Sequence, residues 1–402
     1  MDLSRLNKEQ VDAVLHGDSP LLVLAGAGTG KTTAVTFRIA NMIEQRGIAP
    51  GKILAMTFTN KAAREMASRV GELTNLNPRW LDIGTFHGIC GRLLRQYGEA
   101  LGLDASFVIY DSADQLGLIK RCMAQLNIDP QAFPPRAIKS KIEEWKNQGL
   151  RPSEVEPSAF DMVSRRAAAV YELYRKRCFE SNAVDFGDML LHTLSLVKSH
   201  TSVREECHRR WSHILVDEYQ DTNPVQYKLL KALTTKDHSL TVVGDDDQSI
   251  YRWRGADIGN ILRFERDFPG AAVVRLEHNY RSTQTILDAA NAVIAHNRTR
   301  KGKTLFTNAG PGETIGFRLF PTERDEADAI AQDIAHRVLG DFEELVDPRD
   351  MAILYRTNAQ SRPFEESFRR LRIPYVIYGG VRFYDRREVK DAIAYLRLLI
   401  NS

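Results

Sequence analysis

The sequence has 402 residues, enough for about two to four domains, with 43% hydrophobic and 27% charged residues and a formal net charge of +3. That composition describes an ordinary soluble chain: no apolar run approaches the ~20 residues a membrane span needs, and the near-balanced charge neither demands nor excludes nucleic acid, so such a surface must come from local patches. The start, MDLSRLNKEQ, has no secretory apolar region, and Cys90, Cys122, Cys178 and Cys207 lack metal-ligand spacing, which points to reduced thiols in the cytoplasm.

Residues 4–17 read as a short amphipathic helix. Within it Gln10 carries a donor and an acceptor suited to an adenine edge, although its position alone marks it as a surface residue. The apolar run Leu21 to Leu24 then reads as a buried strand feeding Ala25-Gly-Ala-Gly-Thr-Gly-Lys-Thr32. Glycines at 26, 28 and 30 permit the sharp turn that lets backbone N–H groups converge on phosphate oxygens. Lys31 and Thr32 open a helix whose N-terminus favours anions, with the ammonium in reach of β- and γ-phosphates and the hydroxyl suited to Mg²⁺. The strict phosphate-loop pattern has Gly where this chain has Ala25.

A helix over 31–46 and a strand over 52–56 continue a βαβ rhythm, so a parallel sheet with crossover helices is expected. That strand ends in Thr57-Phe-Thr-Asn60, where Phe58 can stack on a base while Thr59 and Asn60 hold phosphates; a core Phe beside an ordinary helix cap fits the pattern equally well. Ile83 to His87 is a further strand end, and its lone His87 is of a kind more often structural than functional. From about 104 to 187 the rhythm gives way to helical segments at 112–126, 135–147 and 158–180, read as a helical insertion. Its basic residues Arg136, Lys139, Lys141 and Lys146 can line a nucleic-acid path, but a charge run on a helix is usually a solvated face.

The sheet resumes with a strand from His213 that ends in paired carboxylates. Asp217 fits the Mg²⁺ ligand of a P-loop enzyme and Glu218 the group that orients or deprotonates the attacking water. A strand over 239–244 runs into Asp245-Asp-Asp-Gln-Ser-Ile-Tyr-Arg-Trp-Arg254. Gln248 sits where a side chain can sense a γ-phosphate, and Tyr251 and Trp253, interleaved with Arg252 and Arg254, have the pattern of a stacking platform for single-stranded bases. After a strand over 272–276, Glu277-His-Asn-Tyr-Arg-Ser282 offers Arg281 as a cation that can swing against transition-state charge. Strands at 314–319, 350–355 and 374–378, alternating with helices at 323–339, 361–371 and 386–400, read as a second α/β unit.

The motifs LNKEQ, AGAGTGKT, TFTNKAA, GTFH, LVDEYQD, VGDDDQSIYRWRGA, LEHNYRS, LYRTNAQSR and GGVRFYDRREVKDAIAYLRLL occur in one order over essentially the whole chain. In that order they resemble the UvrD/Rep/PcrA group of superfamily 1A DNA helicases. The resemblance implies an α/β fold: a RecA-like P-loop NTPase domain, 1A, over 1–103 and 188–277, a helical domain 1B over 104–187, and the start of a second RecA-like domain, 2A, over 278–402, without 2B and the rest of 2A. It implies ATP and Mg²⁺ as cofactors, with nucleotide contacts from Gln10, Ala25, Gly26, Ala27, Gly28, Thr29, Gly30, Lys31, Thr32, Thr33, Tyr280 and Arg281. Metal binding falls to Thr32 and Asp217, catalysis to Lys31, Asp217, Glu218, Gln248 and Arg281, and single-stranded DNA contacts to Phe58, Thr59, Asn60, His87, Tyr251, Trp253 and Arg254. The family often has Arg at the position of Thr33, and this chain departs from the family pattern there.

The activity so implied is ATP-driven 3′ to 5′ movement on single-stranded DNA and unwinding at single/double-strand junctions. Repair or replication proteins are the partners, with no membrane role. With much of 2A absent, the chain by itself is expected to hydrolyse ATP slowly and unwind little. The alternatives are the motor part of a helicase-nuclease and a nucleotide-dependent DNA-binding module that does not unwind.

Overall fold

Leu21–Ala25 (β1) is buried at every residue, as an unbroken apolar run requires of a parallel strand covered on both faces. The computed structural model describes residues 2–158, 160–339, 346–378 and 387–398. Around β1, the first of two compact units, residues 1–313, runs α1 (Lys8–Leu15), α2 (Lys31–Glu44), β2 (Ile53–Thr57), α3 (Asn60–Thr74), β3 (Asp82–Thr85) and α4 (Phe86–Tyr97). The chain continues through β4 (Val108–Tyr110), α5 (Ser112–Gln125), α6 (Pro135–Gln148), α7 (Met162–Glu180), β5 (Ala183–Asp185), α8 (Phe186–Ser199) and α9 (Thr201–Arg210). It closes with β6 (His213–Val216), α10 (Pro224–Leu233), β7 (Ser239–Gly244), α11 (Gly259–Leu262), α12 (Phe264–Asp267), β8 (Ala272–Leu276) and α13 (Gln284–Ile294).

Six strands form one all-parallel sheet in the order β3-β2-β6-β7-β1-β8. Because successive side chains point to opposite faces, Leu22, Leu24, Leu54 and Met56 enter one core with α4, α8 and α10. Leu21, Val23, Ile53 and Ala55 enter the other, with α2 and α3. The register pairs Leu24 with Gly244, Val216 with Val242 and Thr57 with Thr85, so the residues after each strand emerge along one rim. Ligand sites of open α/β sheets lie at such carboxyl ends.

The insertion is helical as expected, with Ile138, Ile142, Trp145, Tyr171 and Tyr174 at its core. It is bracketed by a two-stranded parallel pair, β4 with β5, whose three-residue strands are too short to register as a sequence pattern. One expectation for its basic row is corrected. Lys139 and Lys141 pair with Glu143 and Glu144 on their own helix, but Lys146 is buried and pairs with Asp185 and Asp188 across to β5 and α8.

The second unit, 314–400, contains α14 (Glu323–Leu339), α15 (Ser361–Leu371) and α16 (Arg387–Leu398). Ala331, Phe368 and Ile373 form its small core. The strands expected at 314–319, 350–355 and 374–378 are not formed among the described residues. A strand exists only with a ladder partner, and here the alternating Ile315, Phe317 and Leu319 are 58, 84 and 83% exposed. Residues 379–386 of the last motif lie outside the described residues.

The boundary expected at 278 differs from the division after 313. Asn279 Nδ2 donates to Ala27 O at 2.6 Å and Tyr280 N to Gly28 O at 2.9 Å, which holds this stretch on the phosphate loop.

Candidate nucleotide and nucleic-acid site

The phosphate loop leaves β1 at buried Ala25 and reaches α2 through Gly28 and Gly30, both in the left-handed region at φ 72° and 82°. A Cβ at Gly28 would stand 2.6 Å from Asn279 Nδ2 and 2.8 Å from the Arg281 Cβ, so close approach as well as conformation demands glycine. Thr29 Oγ1 donates to Gly26 O at 2.8 Å, Ala27 O accepts from Asn279, and Thr33 O accepts from Thr36 Oγ1 at 3.0 Å.

Gln10, read as a surface residue from its position, is buried. Its Nε2 donates to Thr29 O at 2.9 Å and its Oε1 accepts from Asn7 N at 3.1 Å, closing a capping box on α1. The amide thus props the loop from behind, a long-range contact no local pattern encodes. Asn7 Nδ2 donates to the hydroxyl of the exposed Tyr280 at 2.9 Å, which brings Tyr280 to the same end of α1. The neighbouring Arg281 is exposed, and its guanidinium forms no ion pair among the described residues.

Beyond β6, Lys31 Nζ pairs with Glu218 Oε2 at 2.8 Å, and Gln220 Nε2 donates to that same oxygen at 2.8 Å. Glu218 is held in the left-handed region at φ 52°, a strained setting for a residue with a Cβ. Asp217 is anchored by its N–H to Met56 O at 2.8 Å, and its Oδ1 accepts from Glu218 N at 3.0 Å. Burial, then the Glu218 charge, pushes the Asp217 carboxyl up to about 6; the same two causes raise Asp221 to about 6. These carboxylates are short of positive charge, and Asp217 Oδ2 accepts no hydrogen bond among the described residues. A hard divalent cation answers both conditions, so the donor set of Asp217 with the half-buried Thr32 hydroxyl fits Mg²⁺. When bound, such an ion supplies the charge that neutralises phosphate oxygens.

Next along the rim, Gln248 Nε2 donates to Asp245 Oδ2 at 2.5 Å. Asp245, Asp246 and Asp247 have the composition of a metal cluster. The Lys303 ammonium fills it instead, 2.6 Å from a carboxylate oxygen of each. Neither Lys303 nor Gln220 was singled out in the sequence, since both matter through tertiary contacts.

Phe58 and Tyr251 stack at 5.1 Å between centroids, 27° apart, and Trp253 follows 6.4 Å from Tyr251. The Arg254 guanidinium lies 4.6 Å from the Trp253 ring centroid and 5.0 Å from that of Tyr251. Trp253 is 72% exposed, so its ring lies outside the core and presents an open face. Phe58 is half-buried, with one face against Tyr251.

Thr59 caps α3 through Ala62 N, and Asn60 Oδ1 accepts from Thr85 Oγ1 at 3.5 Å. Thr85 in turn caps α4, the helix that carries His87. Burial pushes the His87 imidazole below its ordinary value. It meets Phe186 edge-on at 5.5 Å. Phe186 is an exposed aromatic directly after β5 that sequence reasoning passed over; a strand end followed by Phe, as at Phe58, was the available signal.

The profile described as UvrD/REP helicase N-terminal domain matches residues 6–269, and that described as UvrD-like helicase C-terminal domain matches residues 274–402. The ATP-dependent DNA helicase PcrA of Staphylococcus aureus is 45% identical over 401 residues, which is 100% of this chain and 54% of that protein. PcrA of Staphylococcus epidermidis is 44% identical with the same coverage. The chain spans about half the length of the curated relatives it matches. Among the described residues no helix is long and apolar enough to cross a membrane.

Proposed function

The chain belongs to the UvrD/REP helicase family, and from that premise we propose that it is an ATP-hydrolysing motor acting on single-stranded DNA. The observation that carries this reading is a juxtaposition on one sheet rim: the Lys31–Glu218 pair beside Asp217 on the β1 and β6 ends, and the stacked Phe58–Tyr251 pair with Trp253 tilted beside it on the β2 and β7 ends.

In this reading the loop of Gly26 to Thr33 wraps the phosphates, and Lys31 leaves Glu218 for the β- and γ-oxygens. Glu218, freed of its ion pair, accepts the proton of the attacking water. Asp217 and Thr32 hold Mg²⁺. Gln248 and Arg281 contact the γ-phosphate, while Gln10 and Tyr280 border the adenine. Phe58, Thr59, Asn60, His87, Tyr251, Trp253 and Arg254 hold single-stranded DNA, joined by Phe186. Bases pass over the stack as nucleotide state changes, in the 3′ to 5′ sense, and junctions of single with double strand are the substrates of unwinding. The domains 1A, 1B and 2A keep the boundaries given above as functional divisions.

The test is Mg²⁺-dependent ATP turnover with and without oligo(dT). A rate that rises with the oligonucleotide is the expected result. Nucleotide binding without any response to DNA would overturn the motor reading.

A further inference from the structure

The hydrogen bonds that begin at Lys31 do not end at Glu218. Glu218 Oε2 accepts from Lys31 and from Gln220 Nε2, and the other end of that amide, Gln220 Oε1, accepts from Asp245 N at 2.9 Å. The amide is seated against bare backbone: a Cβ at Gly244 would lie 2.6 Å from Gln220 Oε1. Asp245 then divides its carboxylate. Oδ1 takes Lys303 Nζ at 2.6 Å and Asp247 N at 3.1 Å, and Oδ2 takes Gln248 Nε2 at 2.5 Å. Three residues after Gln248 stands Tyr251, the middle ring of the aromatic stack.

We propose that Gln220 and Lys303 are positioning residues that transmit the condition of Glu218 to the 245–254 turn; the inference rests on the ATP-site reading given above. Lys31 has two alternative partners, Glu218 or a phosphate. When a phosphate takes it, Glu218 Oε2 loses one of its two donors and re-seats against the remaining one, Gln220. A planar amide is rigid, so movement at Nε2 is movement at Oε1, and Oε1 holds the first residue of the turn.

Lys303 makes that turn a solid body. Its side chain is 3% exposed and its three near contacts balance carboxylates that would otherwise repel one another in a buried place. Arg300 adds a bond to Asp247 at 2.8 Å and Lys301 N one to Asp246 at 2.7 Å, so the clamp comes from a single segment. A displacement of Asp245 is therefore passed on to Gln248 and the aromatic stack instead of being absorbed locally.

The test uses the full chain and its Lys303→Met, Lys303→Arg and Gln220→Leu variants, each first checked for a cooperative thermal transition. Amide hydrogen exchange over 244–256 is compared with and without saturating Mg²⁺ and a non-hydrolysable ATP analogue, alongside analogue affinity and the oligo(dT) stimulation of ATP turnover. In the unaltered chain the analogue changes exchange in this segment. In Lys303→Met and Gln220→Leu that response disappears while the analogue still binds. In Lys303→Met the stimulation falls about 5-fold or more, the lower end of coupling between sites, with turnover lacking DNA unchanged, and Lys303→Arg recovers part of it.

Gln220→Leu leaves the Lys303 clamp intact, so apart from the Asp245 amide, which loses its acceptor, its analogue-free exchange over 246–256 stays normal; that separates lost transmission from a merely loosened turn. Variants that keep the full response overturn the inference and leave the ATP-site reading standing. An unaltered chain that binds no analogue overturns both. If Lys303→Met does not fold, a normal response in Gln220→Leu is sufficient to overturn the inference.

Discussion

Lys31 and Lys146 each meet carboxylates inside the first unit, but they differ in how completely the ammonium is occupied. Lys146 is 1% exposed, lies 2.7 Å from Asp185 and 2.6 Å from Asp188, and is flanked by the rings of Tyr171 and Tyr174. Asp185 further accepts from Tyr174 Oη at 2.8 Å and Gln115 Nε2 at 3.0 Å. Burial opposes ionisation of Asp185, and the Lys146 charge overcomes it, holding that carboxyl below its ordinary value. Lys31 has a single carboxylate, and Glu218 is 34% exposed. The same pair of groups thus makes a permanent joint where every valence is satisfied and a replaceable one where an incoming phosphate can compete.

The largest expected effect is at the permanent joint. Lys146→Ala leaves two carboxylates in a buried place without their cation and is expected to cost about 3–5 kcal/mol of stability, read from denaturant unfolding. A loss no larger than that of Lys31→Ala would erase the contrast. Lys31→Ala is expected to lower ATP turnover on the order of 10²- to 10³-fold, as loss of a preorganised electrostatic contact does. Its stability should change by only about 0–1 kcal/mol, because the pair it breaks is partly solvated. A large drop in melting temperature would place Lys31 with the structural lysines.

Trp253 extends the contrast to the other ligand, as a large apolar ring with an open face. Trp253→Ala is expected to weaken binding of a fluorescent oligo(dT) by about 1–3 kcal/mol, the contribution of one stacked base. Unchanged anisotropy titrations would remove the stack from the DNA path.

What was legible in the sequence follows the same division between local and long-range causes. The strands around Val23 and Val242, the loop into Lys31 and the acidic end at Asp217 and Glu218 are written in contiguous residues, so pattern and spacing suffice. Gln10 and Lys146 look solvated in sequence and are buried, because what covers them is an element far along the chain. Lys303 is silent for the same reason, since its three aspartates lie more than 50 residues earlier. The apolar alternation at 315, 317 and 319 is legible, but alternation specifies only which residues share a face; the ladder partner that makes a strand is not in the pattern.

The smallest effect sharpens the comparison at the edge of the permanent joint. His192, half-buried on α8, lines a cavity of about 140 Å³ with Arg151, Arg175, Phe179 and Asp188. Burial first, then the Lys146 and Arg175 charges, push its imidazole from 6.5 down to about 4. The folded chain therefore refuses a proton that the unfolded chain takes up. The stabilisation is complete above 6.5 and is lost as pH falls from 6.5 towards 4. Asp188, raised to about 6 by burial and by Asp185, acts in the opposite sense across part of that window, since folding favours its protonated form. A melting curve of the unaltered chain alone would mix the two. His192→Gln removes only the first, so its melting temperature should fall less between pH 6.5 and 4 than that of the unaltered chain. Identical pH profiles would mean that the imidazole is solvated in the folded chain and that the charge cluster around Lys146 does not reach it.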